Sequence, residues 1–87
     1  MKIYSLYDKK ALVYSPLMCF EDEVSAVRTA EQIVINGDTL PSKYPNDFVL
    51  VYFGDYDLKT GEFELVDIPK SIVELANFIQ RDIECER

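Results

Sequence analysis

The sequence predicts a small α+β domain in the order ββαββα: a four-stranded, mostly antiparallel sheet with two helices packed on one face. Two observations lead there. Apolar residues alternate or cluster in strand-length blocks at Ile3–Tyr14 and Phe48–Val66, and they change to helical spacing after Asp22 and again after Pro69. The length agrees, since 87 residues make one domain, expected to span 1–87, that can build only a single core layer.

Lys2 to Ser15 reads as a β-hairpin. Ile3, Ser5 and Tyr7 alternate with Tyr4 and Leu6, Asp8-Lys9-Lys10 interrupts, and Leu12, Val13 and Tyr14 resume. Pro16 cannot donate to a ladder and closes the second strand. From Asp22 the stripe Val24, Val27, Ala30 and Val34 predicts a helix, with Glu21, Asp22 and Glu23 at its positive end and Asn36-Gly37 at its stop. Asp38 to Asp47 carries two prolines and no periodicity, which predicts a long loop. Phe48 to Phe53 is the expected central strand. Asp57 to Glu62 supplies turn chemistry, with Gly61 placed for a positive φ, and Phe63 to Val66 returns as its partner. Pro69 and the spacing Ser71-x-x-Glu74 start a second helix at about residues 69–72. Its stripe is Ile72, Leu75, Ala76, Ile79 and Ile83.

Composition narrows function by subtraction. The chain has no histidine, which removes the commonest general base and zinc ligand. Cys19 and Cys85 are its two cysteines, too few for a zinc site and expected to be reduced thiols. The three glycines, Gly37, Gly54 and Gly61, lie too far apart for a phosphate-binding loop. Asp55 and Asp57 begin like a calcium loop, but Lys59 stands where an oxygen ligand is required and Val66 where the closing glutamate belongs. Glu62 and Glu64, two apart on a strand, mark its wet face. The chain is therefore expected to be a binding protein and not an enzyme, with no metal and no cofactor. No apolar run approaches the roughly 18 residues of a membrane span, and the alternating N-terminus carries no export signal.

The net charge of −7, from 16 acidic and nine basic residues, opposes a general attraction to phosphate backbones and leaves room for a local basic site. One constellation fits such a site: Tyr4, Tyr7, Lys9, Lys10, Tyr14, Arg28, Lys43 and Tyr44 combine aromatic platforms with cations, as single-stranded nucleic-acid sites do. The same residues also read as ordinary strand tyrosines beside a polar turn. A second constellation is Ile72, Ala76, Ile79 and Ile83, whose 4-3-4 spacing resembles a coiled-coil seam and equally a core-facing stripe. As a seam it predicts a homodimer or a partner helix.

Several segments together resemble one family. Ile3-Tyr4-Ser5-Leu6-Tyr7-Asp8-Lys9-Lys10-Ala11, then Tyr14 and Pro16, Ala26-Val27-Arg28, Lys43-Tyr44-Pro45-Asn46-Asp47-Phe48, and Gly54-Asp55-Tyr56-Asp57-Leu58-Lys59-Thr60-Gly61-Glu62 look like the small nonstructural protein of gokushoviruses, tailless single-stranded DNA phages of the Microviridae. The pattern fades after Val66. The resemblance implies a nonstructural protein acting in the cytoplasm of the infected bacterial host, often described as DNA-binding and likened to the microvirus protein that shifts replication toward single-strand synthesis and packaging. It implies no catalytic residues. The matching positions for DNA contact are Tyr7, Lys9, Lys10, Arg28 and Lys43. The expected function is thus accessory, in genome replication or its coupling to packaging by way of single-stranded DNA. The alternative is an acidic, dimeric interaction module for a phage or host replication protein.

Overall fold

The computed structural model describes residues 1–79. The elements are β1 (Lys2–Asp8), β2 (Val13–Tyr14), β3 (Met18–Phe20), α1 (Glu23–Asn36), α2 (Leu40–Lys43), β4 (Phe48–Tyr56) and β5 (Phe63–Glu74), with a 3-10 turn at Pro45–Asp47 before β4. The protein is α+β and every strand pairing is antiparallel, but the sheet has five strands in place of the expected four. Its order is β2-β1-β4-β5, with β3 also on β1.

The extra strand arises at Ser15-Pro16. β2 stops at Tyr14 as the proline requires, yet the chain stays beside β1 and pairs again at Met18–Phe20. Ser15 holds the kink. Its Oγ accepts from the Leu6 amide at 2.9 Å, its own amide donates to the Leu6 carbonyl at 2.8 Å, and the buried Ser5 hydroxyl donates to the Ser15 carbonyl at 2.8 Å.

The expected stop of α1 is in place, with Gly37 at a left-handed φ of 82°, and Asp22, expected only as a charge at the positive end of the helix, is its N-cap, accepting from the Ser25 amide at 2.8 Å. The buried stripe is shifted from the expected one. Ala26, Ala30 and Val34 are buried, whereas Val24 is exposed, because the helix presents its Ala26 side to the sheet. The loop before β4 is less irregular than predicted. Thr39 and Ser42 form a reciprocal capping box that supports one helical turn, α2.

The largest correction concerns residues 69–74. They do not open a helix; β5 continues through them to Glu74. Long-range pairing overrides the local capping signal here, since Lys70, Ser71, Val73 and Glu74 lie opposite Tyr52, Val51, Leu50 and Val49 on β4. Only after Leu75, whose amide donates to the Phe48 carbonyl, are residues 76–79 helical. Ile72 is therefore on a strand, and the proposed seam of Ile72, Ala76, Ile79 and Ile83 is not one helix face. Ile72 and Ile79 instead pack against the core. Ile83 and Cys85 lie outside the described residues. Cys19 is an exposed free thiol on β3.

The core forms on one sheet face, where Tyr4, Leu6, Phe48 and Leu50 meet Ala26, Ala30 and Val34 of α1 and Leu75 and Phe78 of the C-terminal turn. By strand alternation Ser5, Tyr7, Val49 and Val51 point to the opposite face. Among the described residues both helical layers lie on the first face.

Candidate nucleic-acid interface

The β1–β2 turn is held from three sides. Asp8 Oδ1 accepts from the amides of Lys10 at 2.9 Å and Ala11 at 3.0 Å. The Lys9 amide donates to the Asp47 carbonyl at 2.7 Å, tying the turn to the segment before β4. The Lys9 ammonium lies 2.6 Å from the Glu74 carboxylate at the end of β5. Leu12 takes the left-handed conformation, φ 59°, that lets the tight turn close.

This turn carries an aromatic row on the sheet face opposite α1. Tyr7 and Tyr14 are cross-strand partners with ring centroids 4.5 Å apart. Tyr14 lies 5.3 Å from Phe53, edge to face, so the rings pass over β1 from one neighbour strand to the other. Ser5 and Val51, beneath them, are buried. Phe53 was not among the expected site residues, because the run Phe48–Phe53 reads as plain core strand. A bulge sets it apart: the β1 and β5 registers both skip from Tyr52 to Gly54. The signal in the sequence is Gly54 itself. Beyond the bulge the paired ends of β4 and β5 form an arm, on which Tyr56 and Phe63 make a second ring pair at 4.9 Å.

Tyr4 does not belong to the site. It is fully buried in the helix-side core, its hydroxyl has no partner, and burial together with the nearby Glu23 charge pushes its pKa up to about 12.

The expected cations divide. Lys10 and Tyr44 line one cavity of about 310 Å³ with Ala11, Leu40 and Phe48, and it adjoins another of about 250 Å³ walled by Leu6, Val13, Tyr14 and Pro41. Asp8, Leu40 and Phe48 border both. The two form a groove between the hairpin and α2, whose last residue, Lys43, is exposed beside Tyr44. Tyr7, Lys9, Lys10, Tyr14, Lys43 and Tyr44 thus gather at one end of the sheet. Arg28 does not join them. It stands on the exposed side of α1 among Glu23, Val24, Val27 and Glu31, on the helical side of the sheet.

The opposite end holds a wide cleft of about 710 Å³ that includes Met1, Lys2, Glu21, Asp55, Asp57 and Glu62. Two of its carboxylates, Asp55 and Asp57, have structural partners. Asp57 caps the β4–β5 turn by accepting from the Lys59 amide at 2.8 Å, which holds its pKa below the usual value. Asp55 accepts from the Tyr52 hydroxyl at 2.9 Å and faces Lys2 at 3.7 Å. Among the described residues no group of three or more His, Cys, Asp or Glu is placed to hold a metal ion. No described helix is long and apolar enough to cross a membrane.

What this end of the sheet offers is stacking surface with sparse positive charge. Planar groups can lie against Tyr14 and Phe53, while Lys10 and Lys43 supply charge and Lys9 is already paired. A family model described as Phage ORF5 protein matches residues 1–78. Among curated proteins, Protein ORF5 of Chlamydia phage 1, a gokushovirus, is 35% identical over 71 residues, spanning 77% of this chain and 74% of that one. No solved structure matches.

Proposed function

The chain belongs to the phage ORF5 protein family, and from that premise we propose that it is a non-enzymatic accessory protein that contacts single-stranded DNA during replication of a phage genome or its coupling to packaging. The observation that carries this reading is the Tyr7–Tyr14–Phe53 row, with Lys10 and Lys43 exposed at the same end of the sheet around the groove between the hairpin and α2. Bases stack on such rings without sequence preference, each adding about 1–3 kcal/mol. Lys10 and Lys43, with Lys9 tied to Glu74, neutralise few phosphates. The salt dependence is therefore shallow, with a log–log slope of roughly −1.5 for two phosphates on a single strand. The place of action is the cytoplasm of the infected bacterium.

Fluorescence anisotropy of a labelled single-stranded oligonucleotide, titrated at two salt concentrations, tests the reading. Binding that is lost in Tyr14→Ala and weakened in Lys10→Glu supports it. No binding at either salt rejects it and favours the second reading, in which the acidic surface, net charge −7, engages a phage or host replication protein.

A further inference from the structure

β5 is a 12-residue strand at the end of the sheet, and on its outer side no strand pairs with it among the described residues. Its register against β4 jumps, so that Val66, Asp67, Ile68 and Pro69 together stand against the single residue Phe53. Apolar side chains are left in water along this stretch: Phe63 is 63%, Leu65 62%, Val66 38% and Ile68 79% exposed. They leave roughly 400 Å² of apolar surface, on the order of half of what one partner contributes to a stable interface. Pairing of strand backbones across the edge supplies further contact area.

We propose that a second copy of this chain docks along the outer edge of β5, antiparallel and two-fold, with Asp67 on the axis. The charge pattern selects this register. An antiparallel ladder between identical strands has its two-fold axis through one residue and that residue's twin. Centring on Asp67 sets Glu64 opposite Lys70 twice, sets Val66 opposite Ile68 twice, and leaves Pro69, which has no amide to pair, opposite Leu65. Centring on Val66 sets Leu65 against Asp67. Centring on Ile68 sets Val66 against Lys70, and centring on Pro69 sets Glu64 against Glu74. Opposite charges directly across a ladder stabilise it and like charges oppose it. Lys70 forms no other ion pair among the described residues. The one unfavourable pair is Asp67 with its own twin, a feature that limits affinity and also blunts pairing with unrelated edges. Because the axis runs perpendicular to the sheet, the aromatic faces of both copies fall on the same side. This dimer differs from one built on a helical seam and does not depend on DNA binding.

Sedimentation equilibrium of the full chain tests the proposal, with circular dichroism as the check that each surface variant keeps its fold. The wild type self-associates to a dimer. Lys70→Glu weakens the dimer about tenfold or more, through two symmetric like-charge pairs. Combining Glu64→Lys with Lys70→Glu restores it, and Asp67→Asn tightens it. A wild type that stays monomeric at hundreds of micromolar overturns the proposal. So does a dimer indifferent to both Lys70→Glu and Ile68→Asp, or a charge swap that fails to restore association.

Discussion

Gly54 lies so close beneath Leu65 that a Cβ on the glycine would come within 2.7 Å of the Leu65 Cα and collide with the Glu64 carbonyl. Its φ of 142° is also one that other residues rarely adopt. This contact sits beside the bulge that turns Phe53 toward Tyr14. Gly54→Ala is expected to cost about 1–3 kcal/mol in backbone strain alone, with the steric clash adding to it. Urea denaturation measures the loss; an unchanged midpoint would show that the arm tolerates a shifted β5.

Ser15 satisfies the Leu6 amide at the break between the β2 and β3 pairings along the outer edge of β1. Ser15→Ala removes that acceptor while the Ser15 carbonyl still accepts from the Ser5 hydroxyl, and should cost about 1–3 kcal/mol for the Leu6 amide left without its partner. Amide hydrogen exchange at Leu6 is the direct readout: protection falls in the variant, while protection within α1 is kept relative to global stability.

Tyr4 makes the fold sensitive to alkali. Its folded pKa, about 12, lies above the ordinary value of 10, so the native state holds this proton longer than the unfolded chain does. The associated stability is fully present below pH 10 and is lost as pH rises toward 12, at up to about 1.4 kcal/mol per pH unit. In an ultraviolet titration of the tyrosines, the last step is expected to coincide with unfolding. Tyr4→Phe removes that step.

At the acid end the sign reverses. The Ser25 amide and hydroxyl hold the Asp22 carboxyl below its ordinary value of 3.8. Its capping contribution to α1 is present above that value and disappears as pH falls through the lowered one. Asp22→Asn keeps a capping oxygen without the charge, so the acid transition measured by circular dichroism should lose part of its pH dependence.

The aromatic row predicts an asymmetry among the tyrosines. Tyr14→Ala should weaken single-stranded DNA binding by about 1–3 kcal/mol, whereas Tyr4→Phe leaves it unchanged because that ring never meets solvent. Arg28→Glu, on the far side of the sheet, should have little effect. Equal losses for Tyr14→Ala and Arg28→Glu would mean that DNA runs over the helical face instead.

The sequence by itself determined the elements whose causes are local. Asp22 and Gly37 mark the two ends of α1 through capping and a left-handed φ, the turn at Asp57–Gly61 closes through its own side chain and backbone, and alternation separates Tyr4 and Leu6 from Ser5 and Tyr7. The hairpin-end candidates Tyr7, Lys10, Tyr14, Lys43 and Tyr44 were legible for the same reason, since they lie in two short segments that flank neighbouring strands. Only the tertiary structure decided what depends on partners distant in the chain. Ser71 to Glu74 carries a helix-start signal, yet it is a strand because Val49 to Val51 sits opposite it and the Lys9 ammonium holds Glu74. Phe53 joins the tyrosines, and Arg28 leaves them, because a bulge and the two-sidedness of a sheet assign faces that spacing along the chain does not record. Local propensity is a matter of fractions of a kcal/mol per residue, and burial in a shared core outweighs it wherever the two disagree.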